Sequence, residues 1–368
     1  MSKYIIPSFK PYFGGNESKY IETALESRLS PEQSFVNLFE KDFAKFIGRR
    51  YAIAVSNGTS ALHLLVKYNG NKISRSAVVT TPLTFIASAN VALYEKQRII
   101  FCDIGKNLLI NENSLESILK SNSDISTVVY VDIFGRIPST KKIKEICDKY
   151  GVFLLEDASQ AVGSRNKSFI AGQIGHAAVF SFNKNKQITS GGEGGMIVTD
   201  DEDIYRFCNS MRDQGRIEGS DWLNHAEVGY NYRMTEVQAA IGCAQMEQIE
   251  AFIEKRRLIV LLYKKKLKKL AHISLPDDID DPHKSWFIFY IIVANIDLKN
   301  KIIDGLQDAC IECKTNYFPP VYKFKAYENS NFYSNIAESF YDSVIALPLY
   351  YEMTEADVDM IVNIISEC

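Results

Sequence analysis

Two lysines, Lys184 and Lys186, stand in the stretch Val179-Phe180-Ser181-Phe182-Asn183-Lys184-Asn185-Lys186-Gln187-Ile188-Thr189-Ser190-Gly191-Gly192-Glu193-Gly194-Gly195. An apolar run ends in the hydroxyl residue Ser181, the lysines follow, and a glycine cluster leads into a second apolar run, Met196 to Val198. The pattern predicts strand, irregular turn, strand. A lysine on such a turn can sit at the mouth of a sheet, partly shielded from water. Desolvation lowers its pKa, and a neutral amine attacks carbonyl carbon. The alternative for either lysine is a solvated loop charge, because buried lysines are rare. What the rest of the chain brings beside them decides between the two.

Three other stretches carry groups that such an amine could work with. Ser56-Asn57-Gly58-Thr59-Ser60 lies between a strand over 51–55 and a helix over 61–68. Strand, Gly-hydroxyl-hydroxyl turn and helix make an anion site, since the first N–H groups of the helix lack partners and its dipole favours negative charge. The alternative is a Ser/Thr cap with no ligand. A GxxxxGK pattern is missing, so the turn is not a nucleotide P-loop. Phe85 falls in the first turn of a helix expected over 84–94. Asp157 and Gln160 follow the apolar strand Val152-Phe153-Leu154-Leu155.

The elements that must position these groups alternate strand and helix. Helices are expected over 16–29 and 31–47, the second with an aromatic stripe of Phe35, Phe39, Phe43 and Phe46 and with Gly48 as its C-terminal cap. Further strands are expected over 77–81, 98–104 and 127–133, and helices over 114–120, 139–150 and 202–212. Nearly continuous apolar strands between helices imply an α/β fold with a mainly parallel central sheet covered by helices on both faces. Ligands of such sheets sit beyond the C-terminal ends of strands, where the Gly58 turn, Asp157 and Gln160 all fall. Residues 215–233 are polar and irregular. A helix opened by Thr235 and Gln238, at capping-box spacing, is expected to run to about Leu270. Past Pro276 a strand over 285–293, a helix over 298–310, an extended piece over 314–318 and a helix over 354–366 capped by Thr354 form a smaller C-terminal α+β unit. The division expected is 1–245 and 246–368.

Composition narrows the function classes. The 368 residues are 46% hydrophobic and 24% charged, with a formal net charge of −3. That is a soluble globular mix, with no charge case for nucleic acid or an anionic membrane. No apolar run reaches the length of a membrane span, and Met1-Ser2-Lys3-Tyr4 lacks the apolar core of a signal peptide. The expectation is a cytoplasmic protein. Its seven cysteines are scattered. Cys310 and Cys313 make one CxxC without the second pair that a structural zinc site needs, so no metal is expected.

An anion cradle, an aromatic ring, a carboxylate and a lysine together are what pyridoxal phosphate requires. Its phosphate needs N–H and hydroxyl donors, its ring an apolar face, and its pyridine nitrogen a carboxylate to stay protonated. Its aldehyde needs a lysine. At this point the chain resembles the DegT-type (DegT/DnrJ/StrS) family of nucleotide-sugar aminotransferases, within the fold type I pyridoxal-phosphate enzymes. Segments in the family's order carry the resemblance: Ser56 to Leu64, Thr84 to Asn90, Leu155 to Ala161, Phe180 to Gly195, and Val228 to Thr235.

The resemblance implies a role for each candidate. Gly58, Thr59, Ser60 and Ser181 would hold phosphate, and Phe85 would stack on the ring. Asp157 would meet the pyridine nitrogen and Gln160 the phenolic oxygen. Lys186, four residues past Phe182, would carry the aldehyde, leaving Lys184 as a loop charge. Asn231 would reach the phosphate of a partner subunit, which requires at least a homodimer with a shared active site. The implied activity is transamination from L-glutamate to a keto-sugar nucleotide, with pyridoxamine phosphate as the intermediate cofactor form, for amino-sugar biosynthesis. The alternatives are a sugar dehydratase of the same fold, which in this family replaces the lysine by histidine, and a non-catalytic homologue that kept the fold. A dinucleotide oxidoreductase does not fit, because Gly191 to Gly195 lacks GxGxxG spacing. Some positions depart from the family pattern. His176 stands where aspartate is common and reads as structural. Asn183 occupies a position often aromatic in the family, and Ile133-Phe134-Gly135 differs from the more common His-Leu-Tyr-Gly pattern. His225 and Tyr317 lie in stretches resembling substrate-facing loops, while His63 and His272 read as ordinary helix positions.

Overall fold

The computed structural model describes residues 4–368 except 27–29, 31, 73–75, 218, 220–222 and 315–318. In chain order the elements are α1 (Glu17–Ala24), α2 (Phe35–Ile47), β1 (Tyr51–Val55), α3 (Gly58–Lys72), β2 (Ala77–Thr80), α4 (Ala87–Tyr94), β3 (Arg98–Phe101), α5 (Glu112–Ser121), β4 (Ile125–Val131), α6 (Lys142–Lys149), β5 (Phe153–Asp157), β6 (Ala177–Ser181), β7 (Gly195–Thr199), α7 (Glu202–Arg212), α8 (Glu236–Met246), α9 (Ile249–Leu267), β8 (Ile273–Ser274), β9 (Phe289–Val293), α10 (Ile296–Asp308), α11 (Asn335–Ser343), β10 (Val344–Leu347) and α12 (Glu355–Ser366).

The central sheet has the order β1-β7-β6-β5-β4-β2-β3. Neighbours from β6 through β5, β4 and β2 to β3 pair in parallel, and β7 runs against both β6 and β1. Alternate residues serve the two faces, as the period of a strand requires. Ile53 and Val55 pack with α3, α4 and α7, whereas Ala52 and Ala54 pack with α2 and α8. Further along, α5 and α6 cover the same face as α2 and α8. Both faces are thus buried, which accounts for the near-continuous apolar strands.

A second, antiparallel sheet of order β10-β9-β8 lies in the C-terminal third. Phe289, Ile291 and Val293 of β9 face a core built with α9, α10 and α12. Ile288 and Tyr290 point the other way, into the core beside β2 and β4. Strand β9 therefore fastens this unit to the central sheet. Ile6 also joins the C-terminal core and bridges Ile311, so the segment around Ile6 packs with the last third of the chain.

Two expectations change. The helix expected from Thr235 to about Leu270 is two helices, α8 and α9, separated at Glu247 and Gln248. Its first half is buried all round beneath α1 and α2, while its second half packs on α12. One straight rod cannot meet both surfaces. Asn16 and Tyr20 hold the Glu247 carboxylate at the joint, at 2.7 and 2.5 Å. The turn falls beside the division expected after residue 245. Secondly, α4 starts at Ala87, and Phe85 precedes it, its carbonyl accepting from the N–H of Ser88 at 3.1 Å. The capping boxes at Thr235 with Gln238 and at Thr354 with Asp357 both form, and Gly48 caps α2 with φ 75°. β8, α11 and β10 have no counterpart among the expected elements, and residues 315–318 of the expected extended piece lie outside the described residues. No helix among the described residues is long and apolar enough to cross a membrane.

Phe39 is fully buried, with its ring centroid 4.9 Å from that of Phe182, the residue leading into the lysine turn. Phe39→Ala is expected to cost about 3–5 kcal/mol of stability. Calorimetry should show a lower thermal midpoint, and an unchanged midpoint would contradict this packing.

Candidate active site

A cavity of about 1050 Å³ opens where β1, β5 and β6 end, and Gly58, Thr59, Ser60, Phe85, Asp157, Gln160, Ser181 and Lys186 all line it. These eight residues, up to 128 positions apart in the chain, meet there because parallel strands deliver their C-terminal ends to one edge.

The Gly58 turn forms one end. Asn57 Oδ1 accepts from the N–H of Ser60 at 2.8 Å and from its hydroxyl at 3.0 Å, so the donors of Ser60 are engaged in capping α3. The N–H groups of Gly58 and Thr59, which open the helix, and the Thr59 hydroxyl are then the donors left to meet an anion. The turn and the lysine stretch pack backbone to backbone. A Cβ at Gly58 would stand 3.1 Å from Ser181 Cβ, and one at Gly195 only 2.5 Å from both the carbonyl carbon and oxygen of Asn57. This close approach brings the Ser181 hydroxyl beside the helix start.

Next to the cradle is the Phe85 ring, 58% exposed, an apolar face presented to the cavity. Asp157, the last residue of β5, is buried. Its Oδ2 accepts from the Ser88 hydroxyl at 2.7 Å, which in turn lies 2.8 Å from Thr84 Oγ1, and its Oδ1 accepts from the N–H of Ser159 at 3.2 Å. The carboxylate is thereby fixed in orientation. Gln160 Oε1 accepts from the N–H of Phe134 at 2.8 Å, leaving its amide nitrogen as the donor for the cavity. Phe134 takes φ 58° to reach this contact. Asp132, after β4, is fully buried. Burial first, and Glu156 second, push its carboxyl well above the usual range.

Lys186 has its amine in the cavity, and burial pushes its pKa down to about 8 against the opposing charges of Asp157 and Glu193. Lys184 is exposed, with its amine 5.9 Å from the Phe9 ring centroid and outside the cavity lining. The structure thus separates the two lysines by surroundings.

Asn231 does not line the cavity of its own chain. It is exposed, on a segment whose neighbours hold it close by: the N–H of Ser56 donates to Tyr232 O at 2.8 Å, and Tyr232 reaches the cavity wall. His176 fills a structural place, its Nδ1 accepting from the N–H of Leu154 at 2.9 Å and its ring stacked on Phe153. His225 is exposed, 3.1 Å from Gln214 O, and His272 lies 3.2 Å from Ile365 O. Asn183 lines the cavity and donates to Glu193 at 2.6 Å. Tyr317 lies outside the described residues.

Three residues of the site escaped the sequence reading. Ser88 orients Asp157. Phe287 reaches the cavity from the segment entering β9. His63 is more than an ordinary helix position: it is buried in the wall, 2.7 Å from Glu95 Oε1 and 3.1 Å from the Tyr232 hydroxyl. Its spacing of four from Thr59 put it on the same helix face and could have found it. Nothing local marks the other two.

The cradle that glycine leaves open, the exposed ring, the oriented carboxylate, the amide donor and the amine match pyridoxal phosphate group for group. Fold and site together define a fold type I pyridoxal-phosphate-dependent aminotransferase. The chain belongs to the DegT/DnrJ/EryC1/StrS aminotransferase family, whose model matches residues 11–366. It is 32% identical over 368 residues to a GDP-perosamine synthase of Escherichia coli O157:H7, covering 99% of this chain and 98% of that one. It is 31% identical over 345 residues to a UDP-4-amino-4,6-dideoxy-N-acetyl-beta-L-altrosamine transaminase of Campylobacter jejuni, covering 92% and 90%. Among solved structures, Helicobacter pylori PseC, an aminotransferase involved in the biosynthesis of pseudoaminic acid, superposes with a TM-score of 0.91 at 25% identity over 98% of each chain.

Ser88→Ala removes a hydrogen bond to the Asp157 carboxylate. Bonds to charged groups contribute about 1.5–3 kcal/mol, so affinity for pyridoxal phosphate should fall roughly 10- to 100-fold in an absorbance titration of the cofactor-free protein. Unchanged affinity would mean that Ser88 does not orient Asp157.

Proposed function

We propose that this chain transfers an amino group from L-glutamate to a keto-deoxy-sugar nucleotide in amino-sugar biosynthesis, in the cytoplasm, with Lys186 as the residue that carries the cofactor. One observation carries the reading: an amine whose pKa is lowered to about 8 shares a cavity with an oriented carboxylate, an exposed aromatic face and an anion cradle. Bound pyridoxal phosphate supplies an aldehyde to hold the amino group and a ring to take up the electrons of the broken C–H bond.

The protein supplies the rest. Gly58, Thr59 and Ser181 hold the phosphate, and Ser60 keeps the turn in shape. Phe85 covers one ring face. Asp157 keeps the proton on the pyridine nitrogen through its opposite charge, and Gln160 donates to the ring oxygen. Lys186 Nζ, once free, would take the proton from the donor's amino carbon and deliver it to the carbon of the cofactor's aldehyde group, and would carry it the other way for the acceptor. Near pH 8 its neutral and charged forms are comparably populated, so it can both accept and give. The cavity volume leaves room for a sugar nucleotide beyond the cofactor and for a small dicarboxylate in turn. The names of the relatives support the acceptor class: one is called a GDP-perosamine synthase, another a transaminase of a UDP-linked amino sugar.

A homodimer completes the proposal. Asn231 is exposed beside the cavity wall, and its exposed neighbours Leu223 and Val228 suit a covered interface. Asn231 would then serve the partner's phosphate.

Two measurements test this reading. Addition of glutamate alone to the loaded protein should change the cofactor's absorbance spectrum, a keto-sugar nucleotide should reverse it, and Lys186→Ala should abolish turnover. Water loss from the sugar without amine transfer would instead support the dehydratase alternative. Lys186→Ala and Asn231→Ala, each inactive alone, should regain activity when unfolded and refolded together, since one mixed dimer site would have both residues. No recovery would exclude a shared site.

A further inference from the structure

The amine of Lys186 lies 4.3 Å from the ring centroid of Phe287. Among the described residues no carboxylate forms an ion pair with it, and Asp157 and Glu193, the acidic groups that bear on it, act from beyond contact. The face of an aromatic ring carries negative potential and attracts an ammonium group, more strongly where water is excluded. Phe287 is buried and reaches the cavity.

The ring is held from several sides. Buried Arg256 donates to the carbonyls of Trp286 and Phe287, both at 3.3 Å. Two residues earlier, the N–H of Ser285 donates to Ser164 Oγ at 3.0 Å, and Ser285 Oγ accepts from Gln187 Nε2, also at 3.0 Å. Gln187 follows Lys186 directly and donates to the carbonyl of Gln160 at 2.8 Å. The segment carrying the ring is therefore bonded to the turn carrying the lysine.

We propose that Phe287 is a positioning residue whose ring face seats the Lys186 ammonium whenever that lysine is not bonded to the cofactor. The inference rests on Lys186 being the cofactor-bearing residue. Each half of a transamination frees the lysine, which must then take a proton from one reacting carbon and deliver it to another. A carboxylate in contact would pair with the ammonium and compete for that proton. An aromatic ring stabilises the charge but cannot accept the proton. Phe287 thus offers a seat from which the proton remains transferable, and it ties the lysine's resting position to the C-terminal unit.

The test replaces Phe287 with 4-fluoro-, 3,4-difluoro- and 3,4,5-trifluorophenylalanine in the full chain. These rings keep nearly the same shape while their faces become progressively less negative. In the cofactor-free protein, the pH dependence of Lys186 acetylation by acetic anhydride is read by peptide mass spectrometry, with exposed Lys184 on the same peptide as reference. The expected result is a stepwise downward shift of the Lys186 midpoint, by about 0.5 to 1 pH unit for the trifluoro ring, with Lys184 unmoved. A midpoint that stays constant across the series overturns the proposal. Borohydride reduction of the loaded protein and peptide mapping check the underlying assignment separately. Cofactor trapped on Lys186 with an unmoved midpoint defeats the seat alone, whereas cofactor trapped elsewhere defeats the assignment itself.

Discussion

Withdrawal of one amine from water is the constraint on which the rest of this structure depends. A lysine in solution is almost wholly protonated at neutral pH and useless as a nucleophile or proton acceptor. Burial lowers the pKa of Lys186 to about 8, and Asp157 and Glu193 oppose the fall without pairing with it. A salt bridge at this position would hold the amine in its charged form. An apolar hollow without acids would depress it further and leave no proton to return. On the role proposed for Lys186, the site works between these limits, with the two acids near the lysine but out of contact.

The sheet enforces that spacing. Asp157 ends β5 and Ser181 ends β6, and the two strands pair in register through Asp157 and Val179. Between Ser181 and Gly195 the chain leaves the sheet, carries Lys186 over the cavity and returns as β7, the strand that runs against its neighbours. Gly195 admits this return because its bare Cα lies against the backbone of Asn57 and Gly58. The lysine turn and the anion cradle are thus two sides of one backbone contact.

How much of this the sequence revealed follows from the range of the interactions. β1 and the turn before α3 were legible because strand, turn and helix cap are local patterns. Asp157 and Lys186 were legible because strand ends and residue spacing place them, and the family resemblance separated Lys186 from Lys184. Ser88 was hidden: on α4 it looks like any small helix residue, and its bond to Asp157 spans 69 positions. Phe287 was hidden for the same reason, 101 positions from the lysine it faces. The break between α8 and α9 was also illegible. Glu247 and Gln248 are acceptable helix residues, and what ends the helix is the need of its two halves to meet different surfaces. Ser60, whose type suggested a ligand contact, lines the cavity while its N–H and hydroxyl donate to Asn57 Oδ1, a cap bond at a spacing of three that the residue type alone did not single out.

Trp286 and Phe287 tie the C-terminal unit to the cavity wall. They are consecutive, and each lies against an ammonium group: Lys284 is 3.8 Å from the Trp286 ring centroid, and Lys186 is 4.3 Å from that of Phe287. Trp286 adopts φ 48°, a conformation that costs a bulky residue on the order of 1–2 kcal/mol. The surroundings hold it there: Asp278 pairs with Lys284 at 2.7 Å, Arg136 bonds Asp277 and Tyr290, and Arg256 bonds both carbonyls. This set of cations, acids and rings, buried except at its Asp277 edge, lies between the C-terminal core and the central sheet. A shift in its packing would move the Phe287 ring and, with it, the surface against which the lysine rests. The C-terminal unit therefore supplies part of the cavity wall, through Phe287, Lys314 and Phe324.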